Sequence, residues 1–235
     1  MVELTAHMSS PVDSILAELH CHTCYSKDSL MLPGRLIDVA RRRGLQRLAI
    51  TDHNTIAGAI EAAALDPEMV IIGEEILTSR GELLAYFVRD EVPQGLSPAE
   101  TIARLRDQGA IIGVSHPFDY MREGAWQEED LRAILGAVDA LEILNARVWN
   151  GEANRRAAEW AERAGLPGFA GSDAHTPFEV GAVRTRLAPF TDASSFLRAL
   201  GAAQVEGRRS PMWVHLASRY ASWSKRLRRR GLRHP

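Results

Sequence analysis

Residues 16–29 read LAELHCHTCYSKDS, which sets a histidine on either side of a cysteine, a second cysteine two residues further on, and an aspartate just beyond. On an extended segment successive side chains point to opposite faces, so His20 and His22 share one face and Cys21 takes the other. A thiol-based zinc site would need a second cysteine pair, and the sequence holds two cysteines in all, Cys21 and Cys24. Both are read as structural, because a free cysteine commonly serves as a small buried hydrophobe. The segment is therefore a strand that delivers two imidazoles to one side.

Six more apolar runs follow the same plan: RLAITDH, MVIIGEEILTS, ELLAYFV, AIIGVSHP, ALEILN and GFAGSDAH. Most are separated by amphipathic stretches with helix punctuation. One opens at Pro33 and stops at Gly44; another has Ser97 as its cap, Glu100 three residues later, and Gly109 at its end. Strands alternating with helices predict a parallel sheet, with Arg80-Gly81 marking one hairpin. Nearly every strand ends in groups that can bind metal: His20 and His22, Asp52 and His53, Glu74 and Glu75, His116, Glu142, Asp173 and His175. In a closed parallel sheet those ends converge on one rim, so residues 150 positions apart would meet in one pocket.

Composition sets the outer bounds. The chain has 235 residues with 46% hydrophobic and 25% charged side chains, which is ordinary for one globular domain. No apolar run approaches the roughly 20 residues of a spanning helix, and the first residues lack the features of a secretory leader. The expectation is a cytoplasmic protein, consistent with so few cysteines. The net charge of −2 conceals an asymmetry: residues 205–235 hold nine basic side chains against Glu206 alone, leaving 19 basic against 29 acidic in the rest. The expected organisation is a flexible segment over 1–14, a barrel domain over 15–204 and a basic amphipathic tail over 205–235.

Five histidines at equivalent strand ends, with Asp28, Asp52, Glu75 and Asp173 for company, are hard to place in a core, because buried charges demand partners. A cation satisfies many lone pairs at once, and imidazole and carboxylate without thiolate suit Mn, Zn or Fe. Asp52, pointing away from His53, suits a structural hydrogen bond. Glu142 and Glu179 suit the orientation of imidazole N–H groups. Arg122 and Arg147 follow rim strands, where a guanidinium fork can take phosphate oxygens or form a surface ion pair. Asn145 could orient a ligand or cap the next helix, and the cap is the simpler role.

In order and spacing, ELHCHTCYSKD, TDHN, GEEI, SHP and GSDAH resemble the polymerase and histidinol phosphatase (PHP) domain, a superfamily of metal-dependent phosphoesterases. The resemblance runs from about residue 15 to residue 187. It implies a distorted (β/α)7 barrel with two to three divalent metals at the C-terminal rim of the strands. His20, His22, Glu75 and Asp173 would hold the first metal, with Glu75 bridging to a second that also binds His116. Asp28, His53 and His175 would hold the third. Glu82 stands where many members place a histidine ligand, and a glutamate can also bind a divalent ion. Glu18 stands where the family usually has Asp. Asp173, His175, Arg147 and Arg122 would form the catalytic set.

The implied activity is hydrolysis of a phosphomonoester or nucleotide-type phosphate by a metal-bound hydroxide. A small phosphorylated molecule is the expected partner. Two other readings stay open: an exonuclease-like activity on nucleic-acid ends gripped by the basic tail, and a non-catalytic metal-binding regulatory module. In the tail, Trp213, Leu216, Tyr220, Trp223 and Leu227 recur at three and four residues, the pattern of an amphipathic helix with a cationic side. It suits a helix docked on the barrel, with contact to nucleic acid or an anionic membrane as the alternative.

Overall fold

The computed structural model describes residues 14–122 and 124–231. All of the predicted flexible N-terminal segment except Ser14 lies outside those residues, as do His7, Arg233 and His234. In chain order the elements are β1 (Ile15–Glu18), α1 (Pro33–Arg42), β2 (Arg47–Ile50), α2 (Ala57–Leu65), β3 (Val70–Leu77), β4 (Glu82–Tyr86), α3 (Pro98–Asp107) and β5 (Ile111–Val114). Then come α4 (Glu128–Ile134), β6 (Ala140–Asn145), α5 (Gly151–Ala164), β7 (Gly168–Gly171), β8 (Val183–Leu187), α6 (Ala193–Leu200), β9 (Gln204–Gly207) and α7 (Val214–Gly231). One mixed α/β sheet contains the nine strands in the order β7-β6-β5-β4-β3-β2-β1-β8-β9 and curls into a nearly closed barrel.

Local chemistry explains the element ends. Ser97 and Glu100 form a reciprocal capping box at α3, and Asp192 with Ser195 forms a second at α6. Each box is worth on the order of 1 kcal/mol. Asn150, and not Asn145, caps α5, which ends at Gly165 in the left-handed conformation. The Arg80-Gly81 hairpin joins β3 to β4, pairing Leu77 with Glu82. A Cβ on Gly81 would stand 2.2 Å from the Trp126 ring, so only glycine lets that indole cover the turn.

The sheet departs from seven parallel strands at two places. β4 is antiparallel to both β3 and β5. β8 and β9 were not among the predicted strands; they pair antiparallel with β1 and with each other, and β9 crosses residue 204. β7 then meets β8 through a side chain, since Thr185 Oγ1 accepts from Ala170 N (2.8 Å) and donates to Ala170 O (3.2 Å).

Closure is completed at the rim by the segments that follow β1 and β7. Asp173 N donates to His20 O (2.7 Å), and His22 N donates to Ala174 O (2.9 Å). Glu18 staples the same seam, accepting from Ser172 N (2.9 Å), Gly181 N (2.8 Å) and the Ser172 hydroxyl. Below the rim the barrel is filled by Leu19, Leu84, Tyr86, Phe169 and Phe196, all buried. Tyr86 packs edge-on to Phe169 and Phe196 and donates its hydroxyl to Leu19 O (3.1 Å). That apolar plug leaves the polar cluster open only towards the rim.

Candidate metal centre

β3 and β4 aim their charges by simple alternation. Ile71, Gly73 and Glu75 share one face of β3, and Glu82, Leu84 and Tyr86 share one face of β4. β5 needs a break in the pattern: Ile112 and Val114 pack outside, so His116 would follow them outward. Its φ of +27° ends the alternation and returns the ring to Glu75. Asp173 has φ +53°, so two rim side chains are held in a backbone region that L-residues visit at a cost of about 1–3 kcal/mol.

His20 Nε2 lies 3.3 Å from Glu75 Oε2 and 3.8 Å from Asp173 Oδ1. His22 Nε2 lies 3.4 and 3.3 Å from the same two oxygens. All four atoms are buried, and none has a hydrogen-bond partner. These separations are long for charge-assisted hydrogen bonds. They match the edges of a tetrahedron whose centre is about 2.0–2.2 Å from each donor, the bond length of a divalent metal to N and O ligands. The four residues fit a cation.

Around this group lie two more. His116 Nε2 is 3.0 Å from Glu75 Oε1 and 3.6 Å from Glu82 Oε2. Asp28 Oδ1, also orphaned, is 3.2 Å from His175 Nε2 and 3.5 Å from His53 Nε2. His53 turns its other nitrogen to Glu75 Oε2 (3.0 Å), so it stands between the first and third groups. Donor atoms of His20, Glu75 and His116, of His53, Glu75 and Glu82, and of His22, His53 and His175 each cluster closely enough for one ion. All nine sequence-predicted metal residues meet here.

The imidazoles are oriented from behind. His20 Nδ1 donates to Glu142 Oε1 (2.9 Å), and His175 Nδ1 donates to Asp173 O (2.8 Å), which leaves each Nε2 lone pair facing inward. His22 Nδ1 rests on Ser26 Oγ (3.1 Å); that hydroxyl donates to Asp52 Oδ1 (2.5 Å) and accepts from His53 N (3.0 Å). Asp52 also takes Thr23 N and Thr23 Oγ1, so it is the structural acceptor the sequence predicts. Glu142 acts as predicted, whereas Glu179 holds backbone N–H groups of His175 and Thr176 in place of an imidazole. Asn145 is a correction: its amide donates to Glu142 Oε2 (3.0 Å) and Asp173 Oδ2 (3.3 Å), orienting the carboxylates. Cys21 points away and donates its thiol to Ala49 O (3.0 Å).

Electrostatics favour positive charge at the centre. Burial alone would lower His20, but the carboxylates of Glu75, Glu142 and Asp173 hold it well above its ordinary value. His53 is raised against burial by Glu75 and Asp28. Burial lowers His22 well below, helped by His175 and His53. Asp173, despite burial, is held well down by Arg122 and His20. Burial, reinforced by the Glu75 carboxylate, pushes Glu82 up to about 6.

A cavity of about 440 Å³ opens above the cluster, with Asp28, His53, Glu82, Arg122, Arg147 and His175 in its wall. Arg122 Nη1 bonds Asp173 Oδ2 (2.6 Å) and its Nε bonds Asp119 Oδ2 (2.9 Å), while Nη2 has no partner. Arg147 is buried, its Nη2 donating to Ser218 Oγ of α7 (2.7 Å), with Nε unpartnered 3.5 Å from Glu179. Sequence reasoning missed Asp119, Ser26, Ser218 and the Trp149–His215 stack (5.4 Å, 10°) at the cavity mouth. Only the contacts of the folded chain single them out.

The PHP domain family matches residues 18–83, and a PHP-associated domain matches residues 151–205. An uncharacterized protein of Methanocaldococcus jannaschii is 40% identical over 115 residues, covering 43% of this chain and 67% of its own. A Bacteroides vulgatus two-domain protein, described as containing a predicted PHP-like metal-dependent phosphoesterase, superposes with a TM-score of 0.69 at 19% identity over 83% of this chain. This chain spans 65% of that protein. A lesion-specific endonuclease of Pyrococcus furiosus superposes with a TM-score of 0.60 at 16% identity, covering 82% of this chain and 58% of that one. At these identities the two structures speak for the fold alone.

Proposed function

We propose, for a chain that belongs to the PHP domain family, hydrolysis of a phosphomonoester or nucleotide-type phosphate at the rim, with two to three divalent ions as cofactors. The observation that carries this reading is the convergence of four orphaned, buried donor atoms from His20, His22, Glu75 and Asp173 at ligand-to-ligand spacing. Those residues would hold one ion, Glu75 with His116 and Glu82 a second, and Asp28, His53 and His175 a third. Bound ions of this kind acidify water towards neutrality, grip phosphoryl oxygens and offset charge on the leaving oxygen.

The chain's own groups supply orientation. Glu142 and the Asp173 carbonyl keep the protons of His20 and His175 on Nδ1. Arg122, fixed by Asp119 and Asp173, has a free Nη2 with which to bind a phosphate oxygen, and Arg147 is held beside it by Ser218. The apolar plug beneath excludes water from below.

Metal analysis of the purified protein followed by an aryl phosphate assay tests the proposal. His22→Ala and Asp173→Ala should each lose bound metal and turnover together; full turnover in either refutes it. The Pyrococcus furiosus neighbour is an endonuclease, so a phosphodiester belongs in the same assay.

A further inference from the structure

Helix α7 docks on the barrel through its small residues. Val214, Ser218 and Ala221 are buried, and Lys225 Nζ donates to the carbonyls of Cys24 (2.6 Å) and Ser26 (2.5 Å). The large residues face the other way. Trp213, in the turn before the helix, is 50% exposed, followed by Leu216 at 65%, Tyr220 at 61%, Trp223 at 58% and Leu227 at 46%. Their spacing of three and four lays them along one stripe. Phe178 extends it, its ring 5.0 Å from Trp213. Exposed Leu30 and Leu32 extend it on the other side, walling with Tyr220 a groove of about 340 Å³. Single exposed apolar residues are ordinary, but a contiguous run of this extent marks a contact surface.

Charge selects the partner. From Gly207 to the end the sequence contains no Asp or Glu. Exposed Arg219 and Arg226 flank one side of the stripe and Arg228 the other. Two copies paired through the stripe would crowd these guanidiniums together, where paired helices normally place opposite charges. An anionic surface meets them instead. Leu216, Leu227, Leu30 and Leu32 offer no π face to a nucleic-acid base, and the rings pack against one another, Tyr220 on Trp223 at 6.2 Å, in place of standing apart as stacking platforms. Aliphatic and aromatic side chains in one plane with arginine at its borders suit the headgroup layer of a bilayer.

We propose that the outward face of α7, with Leu30, Leu32 and Phe178, is a docking surface for an anionic lipid bilayer. The stripe lies at the acyl boundary and the three arginines at the level of the phosphates. The proposal is independent of the phosphoesterase reading, because no stripe residue is among the proposed metal or phosphate ligands. His215 of α7 borders the rim cavity, so a docked molecule holds the cavity mouth near the headgroups.

Flotation of the full-length protein with vesicles tests this. Vesicles containing about a third phosphatidylglycerol should carry the protein and pure phosphatidylcholine should not, with binding weakened by salt. Leu216→Glu and Trp223→Glu should each lower partitioning at least about tenfold. Neither should shift Tm, since both side chains are exposed. No flotation, equal flotation on neutral vesicles, or variants that bind unchanged would overturn the proposal. A dimer in sedimentation that Trp223→Glu dissolves would give the face to a second copy. Tighter binding to oligothymidylate, lost in that variant, would give it to nucleic acid. Either outcome also overturns the proposal.

Discussion

Glu75 gathers four imidazoles, with His20, His22 and His53 around one oxygen and His116 at the other. Glu142 is the more instructive residue, because it faces none of the cavity yet holds His20 Nδ1, His116 N and the Asn145 amide. Glu142→Gln should weaken metal affinity roughly 10- to 100-fold while leaving the fold intact, as read by metal titration and circular dichroism. Glu74, next to Glu75 but on the opposite face, has one oxygen on Val92 N (3.1 Å) and the other without a partner; burial pushes it up to about 8. Between its unfolded value of 4.5 and about 8 the folded protein keeps a proton that the unfolded chain has released, so stability falls as pH rises. Urea melts across that window should show the wild type losing ground to Glu74→Gln, and parallel curves would contradict it. The pairing of His20 with His22 and the outward turn of Cys21 follow from alternation and were legible. The turn at His116 was not, because a positive φ on a histidine leaves no mark in the sequence.

Among the elements, β7 leaves no room for added bulk at either of its glycines. A Cβ on Gly171 would stand 2.3 Å from both Glu142 Oε1 and His20 Cβ. Gly171→Ala should cost about 1–3 kcal/mol in denaturant unfolding and displace His20 enough to lower bound metal. Capping at Ser97 and the Arg80-Gly81 hairpin could be read directly, since each depends on residues close in the chain. β8 could have been found: Val183-Arg184-Thr185-Arg186-Leu187 alternates buried and half-buried positions, but two arginines disguise a strand that pairs Arg184 and Arg186 with Glu206 of β9. The amphipathic pattern of α7 was plain, yet its orientation was not. Periodicity shows that a stripe exists and says nothing about whether the stripe or its small-residue opposite meets the barrel.

At the scale of the whole molecule, the metal cluster and the ring closure occupy one seam, because His20, His22 and Asp173 take part in both. Metal binding should therefore stabilise the entire barrel. At a free metal concentration 100- to 1,000-fold above Kd the gain is about 3–4 kcal/mol. Chelation should lower Tm in the wild type, and Asp173→Ala should abolish that difference; a Tm indifferent to chelator in the wild type would separate closure from coordination.

The seam also orders events in time. Of the nine metal-capable groups that meet there, His20 is synthesised before the others and His175 last, more than 150 positions later. A nascent polypeptide still attached to the ribosome before residue 175 emerges presents an unfinished coordination set, so a full complement of ions waits for β7 and the segment that follows it to be translated.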